Sequence, residues 1–203
     1  MNKHIAGLTF LPGYFDADEQ QDLVTLLRRA VSDAPLFQPV MPRTGKPFSV
    51  RMTNLGELGW VSDLQGYRYQ PLHPLTGRPW PAMPEVLLDL WHAVTAYPHP
   101  PQACLVNFYD ASARMGLHQD RDEEDFDAPV VSVSLGDTAV FRVGGLERKS
   151  PTSSAKLRSG DVVVMGGEAR LFFHGIDRIL PGTSALLREG GRINLTLRRV
   201  DRP

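Results

Sequence analysis

The amino-acid sequence predicts an α+β protein that is mainly β, with two N-terminal helices packed against a β-rich C-terminal half. Apolar residues recur at helical spacing in two early segments, and from Ala103 onward short apolar segments are separated by glycine, proline and aspartate. Many short strands in close succession are typical of a sandwich or jelly-roll barrel. We therefore expect a single domain over residues 1–203, with an N-terminal part at 1–100 and a barrel core at 101–203.

The two helices are predicted from their ends as well as from their periodicity. Asp16 followed by Glu19 matches a capping box, so the first helix is expected over about 16–32. A second apolar face predicts a helix over about 84–96, which Pro98 ends.

The remaining segments divide into strands and one long connection. Strands are expected at 104–109, 130–135, 139–143, 161–165, 170–174 and 192–198. Between the helices, residues 39–83 are rich in glycine and proline, carry several aromatic residues, and are expected to be irregular. Irregular stretches of this length are often functional lids or binding loops, and we call residues 39–83 the lid.

The charge of the chain excludes a protein that binds nucleic acid through a strongly basic surface. The net charge is −1 at pH 7 and the pI is about 6.6, so any attraction for phosphate must come from a local patch. Such a patch lies within the lid, where the basic residues outnumber the acids: Arg43, Lys46, Arg51, Arg68 and Arg78 against Glu57 and Asp63.

Cysteine usage and the lengths of apolar runs predict a cytoplasmic protein. Cys104 is the only cysteine, which excludes an intramolecular disulfide, and nothing indicates an oxidising compartment. Residues 1–7 begin no long apolar run, and no stretch reaches the length of a membrane span. We expect no signal peptide and no membrane partner.

His118-Gln119-Asp120 is the first motif that carries chemistry. Alternate residues of an extended segment share a face, so its imidazole and carboxylate can bind the same ion. Two histidines and one carboxylate suit Fe(II) and leave coordination positions open. His174, at the end of the predicted strand 170–174, is the best placed third ligand. The alternative interpretation is a polar strand end at the surface, because a His-x-Asp triplet arises easily by chance.

Two predicted strands carry a polar face that can line a barrel. One face of 192–198 holds Arg192, Asn194, Thr196 and Arg198, and one face of 104–109 holds Leu105, Asn107 and Tyr109. Such a face usually points to solvent, but a closed barrel can turn it inward to hold a small ligand. Two arginines suit a dicarboxylate because each guanidinium can bind a carboxylate in a bidentate fork, and asparagine and tyrosine can donate further hydrogen bonds.

Longer stretches of the chain resemble a known family. They are MTNLGELGW (52–60), QGYRYQP (65–71), RPWPAMP (78–84), ACLVNFYD (103–110), LHQDRDE (117–123), PVVSVSLG (129–136), GDVVVMGGEARLFFHGI (160–176) and RINLTLR (192–198). From about Ala34 to its end the chain is similar to the AlkB family of oxidative nucleic-acid dealkylases, and especially to its bacterial members. Met165 departs from the pattern, since a tryptophan is expected there.

The resemblance implies a double-stranded β-helix that binds Fe(II) through His118, Asp120 and His174, with 2-oxoglutarate and O2 as co-substrates. It implies that Arg198 pairs with the far carboxylate of 2-oxoglutarate and that Arg192 lies nearer the metal-bound end. The other residues assigned to this co-substrate are Leu105, Asn107, Tyr109, Asn194 and Thr196.

The resemblance also implies the substrate and the residues that bind it. The substrate would be alkylated DNA, preferably single-stranded, and also RNA, with 1-methyladenine and 3-methylcytosine as lesions and a monomeric enzyme. Trp60 would stack the flipped base against His118, Asp122 would lie beside the base, and Arg148 would line its pocket. Tyr67, Arg68 and Tyr69 match a segment that contacts the nucleotide backbone, and Met52 completes the set of substrate residues. Most of the acidic run at 122–127 is expected to be solvated.

Two alternatives differ in class. One is an RNA or modified-nucleotide demethylase, or a hydroxylase of another substrate, on the same fold. The other is a non-catalytic jelly roll that binds nucleic acid or metal, which would have no need for two arginines arranged to hold a dicarboxylate. Release of succinate from 2-oxoglutarate distinguishes the enzyme from the binding module.

Overall fold

The two predicted helices are present close to their expected bounds. The computed structural model describes residues 7–203, so the expectation for the extreme N-terminus falls largely on residues 1–6, outside the described residues. Helix α1 is Ala17–Asp33 and α2 is Glu85–Val94. The capping box of α1 is confirmed, because the Asp16 carboxylate accepts from the Glu19 amide at 2.9 Å and the Glu19 carboxylate accepts from the Asp16 amide at 2.8 Å. Neither helix in the described part of the chain is long and apolar enough to span a bilayer.

Antiparallel strands make up most of the regular structure. The strands are β1 (Leu8–Leu11), β2 (Arg51–Gly56), β3 (Gly59–Asp63), β4 (Gly66–Gln70), β5 (Ala103–Tyr109), β6 (Met115–His118), β7 (Val130–Gly136), β8 (Thr138–Val143), β9 (Ser153–Leu157), β10 (Val162–Met165), β11 (His174–Leu180) and β12 (Arg192–Arg198). A large sheet has the order β1-β10-β7-β12-β5-β2 and a small sheet has the order β6-β11-β8-β9. The predicted mainly-β, jelly-roll fold is confirmed.

The two faces of the large sheet explain its sequence. On β12, Leu195 and Leu197 are fully buried against the helices, in the same cluster as Trp91 of α2. The intervening Asn194 and Thr196 are also buried, but they point into the space between the two sheets. The polar face of β12 therefore lines the barrel, as predicted, because both faces of this central strand are covered.

Two expectations about regular structure were wrong. Within the lid, β2 pairs with β5 at the edge of the large sheet, and β3 pairs with β4 in a separate hairpin. Of the glycines that predicted an irregular segment, Gly56, Gly59 and Gly66 are the end residues of these strands. Residues 170–173 form no strand: a 3-10 turn at Gly167–Ala169 leads towards β11, and the Phe172 and Phe173 amides donate to the Ala169 and Gly145 carbonyl oxygens. His174 therefore begins a strand instead of ending one.

Candidate iron and co-substrate site

The three predicted iron ligands converge at one end of the small sheet. His118 ends β6 and His174 begins β11, and the two are register partners. Asp120 follows β6 directly, with Oδ1 lying 3.7 Å from His118 Nε2 and Oδ2 lying 3.8 Å from His174 Nε2. The glycine at position 175 permits this close pairing, because a Cβ there would lie 2.5 Å from the Met115 carbonyl oxygen. One ligand atom from each of the three residues lies within 4.8 Å of the others, a spacing that could hold one metal ion.

The surroundings of the triad prepare it for a cation. His118 Nδ1 lies 2.9 Å from the Gly116 carbonyl oxygen and His174 Nδ1 lies 3.0 Å from that of Phe172. A ring that donates from Nδ1 keeps Nε2 free as a ligand. Burial, with the neighbouring His118, lowers the pKa of His174 to about 4, so this ring is neutral at pH 7.

The carboxylate of the triad also fits a metal. Burial acts to raise the pKa of Asp120, but the charge of Arg198, together with those of His174 and His118 when these rings are protonated, outweighs it and holds that pKa well below the usual range. Asp120 Oδ2 is buried and has no hydrogen-bond partner. An ionised oxygen in this condition is costly unless a cation binds it. The donor set, two imidazoles and one carboxylate, is the one that Fe(II) oxygenases use.

A cavity of about 630 Å³ opens from the triad into the barrel. Every residue predicted to bind 2-oxoglutarate lines it: Leu105, Asn107, Tyr109, Arg192, Asn194, Thr196 and Arg198. The predicted polar faces of β5 and β12 therefore enclose a single chamber. Its volume lies within the range typical of small-molecule sites.

Arg198 lies at the iron end of this cavity. Its Nη2 donates to Asp120 Oδ1 at 2.8 Å and its Nη1 donates to the Tyr69 hydroxyl at 3.3 Å. This placement argues against the expectation that Arg198 holds the far carboxylate, because its guanidinium is bonded to an iron ligand. Arg192 and Arg198 stand six residue steps apart on the extended strand β12, which puts their Cα atoms roughly 20 Å apart.

Arg192 has very different surroundings at the other end of the cavity. It is 1% exposed, and its Nη2 donates to Ser134 Oγ at 3.0 Å. Its Nε and Nη1, like the nearby Asn107 Oδ1, are buried without a hydrogen-bond partner. Burial lowers the pKa of Arg192 to about 10, which still leaves it charged at neutral pH. A charged guanidinium with two unsatisfied donors is suited to a carboxylate.

The other polar residues of the cavity differ in how much bonding capacity they have left. Asn194 Nδ2 already donates to Ser132 Oγ at 2.7 Å, and Thr196 donates to Asn194 Oδ1 at 3.0 Å. Burial raises the pKa of Tyr109 to about 12, so its hydroxyl stays protonated and can donate to an anion. Asn194 and Thr196 thus use their hydrogen bonds within the cavity wall, whereas Tyr109 keeps a donor for a ligand.

Five of the predicted substrate residues line the cavity: Met52 is buried in its wall, and the others lie towards its solvent-exposed mouth. The five are Met52, Trp60, Tyr67, Asp122 and Arg148. The rings of Trp60 and Tyr67 stack across the β3–β4 hairpin with centroids 5.6 Å apart, and the Trp60 indole donates to Asp122 Oδ2 at 2.8 Å.

Arg68 and Tyr69 lie outside the cavity lining. Arg68 is bonded to Asp63 within the hairpin at 2.8 Å, and it alternates with Tyr67 along β4, so it points to the other side. The Tyr69 hydroxyl turns towards Glu123 and Arg198. Neither residue contacts the cavity where a base would enter.

Sequence reasoning missed two buried charged residues behind the triad, Arg170 and Glu123. Arg170 Nη1 donates to the Asp120 carbonyl oxygen at 2.7 Å, and its Nη2 donates to Glu123 Oε2 at 3.1 Å. Glu123 belongs to the acidic run expected to be mostly solvated, yet it and Asp125 are buried while their neighbours are exposed. Their spacing of two residues was a signal that one side of this run faces inward.

Comparisons with known proteins agree with this geometry. Residues 7–198 match the 2OG-Fe(II) oxygenase superfamily. The chain is 57% identical to the alpha-ketoglutarate-dependent dioxygenase AlkB homolog of Caulobacter vibrioides over 196 residues, covering 97% of this chain and 89% of that protein. It is 47% identical to the alpha-ketoglutarate-dependent dioxygenase AlkB of Escherichia coli (strain K12) over 190 residues, covering 92% and 86%.

A solved structure shows the same fold. The structure of OsALKBH1 superimposes with a TM-score of 0.80 at 33% identity, covering 98% of this chain and 100% of that one. With a two-histidine, one-carboxylate triad and a buried chamber for a dicarboxylate, the chain belongs to the AlkB family of Fe(II)- and 2-oxoglutarate-dependent dioxygenases.

Proposed function

We propose that this dioxygenase removes small alkyl groups from N-alkylated bases, such as 1-methyladenine and 3-methylcytosine, in DNA and also in RNA. The products would be the repaired base, formaldehyde, succinate and CO2. The observation that carries this proposal is the mouth of the cavity, where the Trp60 and Tyr67 rings and the Asp122 carboxylate lie together above the triad. We further propose that one domain, acting as a cytoplasmic monomer, performs the whole reaction.

Stacking and charge at the mouth suit a single extruded base. A base within a duplex cannot reach a buried metal, so it must be flipped out and held. Aromatic side chains hold bases of any sequence, at about 1–3 kcal/mol for each stacked base. Because Trp60 fixes one oxygen of Asp122, that carboxylate is oriented to accept from the exocyclic amine of adenine or cytosine.

The two ends of the cavity suit the two ends of 2-oxoglutarate. Bound Fe(II) supplies the oxidising chemistry, at the expense of O2 and of 2-oxoglutarate, which becomes succinate and CO2. Arg192 and Tyr109 would hold the far carboxylate, since both have donors that the protein leaves unused or protonated. Arg198 would orient the end that approaches the triad. These roles reverse the order of the two arginines that the family resemblance suggested.

The near-neutral chain favours single strands as substrates. Extruding a base from a duplex costs a few kcal/mol, and a single strand has already lost most of that pairing. A net charge of −1 provides little general attraction for phosphate to offset the cost. Methylation at adenine N1 or cytosine N3 also blocks pairing, which lowers the cost for these lesions.

Formaldehyde release tests the proposal. Oligonucleotides that carry 1-methyladenine, 3-methylcytosine or 7-methylguanine are compared as DNA and RNA, single- and double-stranded, at fixed ionic strength. We expect turnover of the first two lesions, faster in single strands, and none of 7-methylguanine, whose methyl group leaves pairing intact. Succinate formation without any formaldehyde from these oligonucleotides would indicate a hydroxylase of another substrate, and a duplex preference would refute the argument from extrusion.

A further inference from the structure

Two buried residues of opposite charge lie behind the triad and take no part in the proposed reaction. Arg170 is 2% exposed and Glu123 is 5% exposed. Arg170 lies in the turn that leads to His174, and Glu123 lies in the loop that follows Asp120. Each of them therefore belongs to a segment that carries an iron ligand.

Arg170 joins these two segments with three hydrogen bonds. Its Nη1 donates to the Asp120 carbonyl oxygen at 2.7 Å, its Nε to the Ala128 carbonyl oxygen at 2.8 Å, and its Nη2 to Glu123 Oε2 at 3.1 Å. Both ends of the loop from residue 120 to residue 128 are thus bonded to one planar guanidinium. The rigid fork of arginine makes such a contact geometrically specific, which a lysine would not reproduce.

Glu123 extends the connection to the side chain of Asp120. Its Oε1 accepts a hydrogen bond from the Tyr69 hydroxyl and lies 3.5 Å from Arg198 Nε. Arg198 in turn donates to Asp120 Oδ1 at 2.8 Å. Two arginines and two carboxylates therefore alternate in a buried row, and their formal charges cancel. Asp120 is held at its main chain by Arg170 and at its carboxylate by Arg198.

We propose that Arg170 and Glu123 are positioning residues that bind the Asp120 loop to the His174 segment and thereby set the affinity of the triad for its metal. The inference rests on the proposed function only in that the triad holds iron. Without the Glu123 charge, two buried arginines face one carboxylate, so Arg198 turns further onto Asp120 and Arg170 loses a partner. Loss of a residue that orients a metal ligand typically weakens metal affinity by about 10–100-fold.

Binding of Mn(II), a redox-inert probe, to the metal-free protein tests this directly. Glu123→Gln and Arg170→Lys are compared with Asp125→Asn, a matched control in the same loop. Asp125 is also 5% exposed, but it is bonded to Tyr97 and to the Asp127 amide instead of the arginines. We expect the dissociation constant for Mn(II) to rise about 10-fold or more in the first two variants. In Asp125→Asn it should stay within about twofold of wild type.

The outcomes separate positioning from general support of the loop. Equal weakening of Mn(II) binding in all three variants would mean that any buried change in the loop disturbs the triad, and unchanged binding in a folded Glu123→Gln would also overturn the proposal. Thermal unfolding without metal identifies a variant that does not fold, in which case Arg170→Lys decides. If wild type binds Mn(II) but releases no formaldehyde from methylated oligonucleotides, the proposed reaction fails while this inference stands.

Discussion

The two arginines of β12 lie at opposite ends of one cavity and differ in how well their charges are compensated. Arg198 and Arg170 lie against Asp120 and Glu123, so the formal charges at the iron end cancel before any ligand binds. Arg192 has only a serine hydroxyl and two unused donors. Arg198 and Arg192 are both buried, at 6% and 1% exposed. The iron end is thus built around internal pairing, and the far end around an anion that must come from outside.

We propose that this difference lets the cavity select a dicarboxylate. A buried cation without partners destabilises the empty protein, and a carboxylate that binds there regains that free energy. A monocarboxylate bound only at the iron end would leave Arg192 unpaired. Under the proposed function, Arg192 would therefore favour a co-substrate with a second carboxylate over one that binds only at the iron end.

The largest expected effect comes from removing an iron ligand, because the triad would then no longer hold the metal. His118→Ala, Asp120→Ala and His174→Ala should each abolish turnover, with losses of more than about 100-fold, because a missing ligand costs more than a misplaced one. Formaldehyde release and Mn(II) binding measure the effect. His92→Ala, at an exposed position on α2, is the control and should behave as wild type; full activity in His174→Ala would contradict the triad.

The next largest effect is on stability: substitutions of the two arginines should change the free energy of unfolding of the metal-free, ligand-free protein by different amounts. Arg198→Leu leaves the Asp120 charge buried without its main partner, and the free energy of unfolding should fall by about 3–5 kcal/mol. Arg192→Leu removes a buried charge that has no anionic partner, so stability should be unchanged or higher. Urea unfolding measures both variants. An equal loss in the two would show that the far end is internally compensated after all.

Binding of 2-oxoglutarate should depend strongly on Arg192, although the stability of the ligand-free protein should not. Arg192→Lys keeps a charge but loses the planar fork, and the KM for 2-oxoglutarate should rise about 10–100-fold, as expected for losing charge-assisted hydrogen bonds of about 1.5–3 kcal/mol. Its Mn(II) affinity should stay near that of wild type. Arg198→Lys should change both quantities, because Arg198 contacts an iron ligand. An unchanged KM in Arg192→Lys would mean that a residue other than Arg192 binds the far carboxylate of 2-oxoglutarate.

The smallest expected effect concerns the lid and leaves both ends of the chamber intact. Trp60→Ala should lower kcat/KM for a methylated oligonucleotide. The loss should correspond to about 1–3 kcal/mol of transition-state stabilisation, which is the contribution of one stacked base. Slow conversion of 2-oxoglutarate without nucleic acid should persist, since the triad lies on the barrel. Asp122→Asn, which can still accept from the indole, tests the carboxylate separately. Equal loss of both activities in Trp60→Ala would show that the indole supports the fold instead.

Several features were predictable because they depend on local sequence. The capping box at Asp16 and Glu19, the alternation along β12 and the spacing of His118 and Asp120 each reflect a period of the backbone that repeats within a few residues. The strands hidden in the lid were not predictable in this way. Residues 51–56 form a strand because they pair with β5, which lies about fifty residues further along the chain. The glycine-rich local sequence contains no information about that distant partner.

The sequence by itself determined the mainly-β class, the two helices, the iron ligands and the polar faces that enclose the cavity. Only the tertiary structure decided which arginine lies beside the predicted iron ligands, that Arg68 points away from the cavity, and that Glu123 and Arg170 are buried together. These depend on partners far apart in the chain, such as residues 120 and 198. Sequence spacing specifies which residues lie on the same face of a strand or helix. The free energy of a buried charge, in contrast, depends on neighbours that only the folded chain brings into contact.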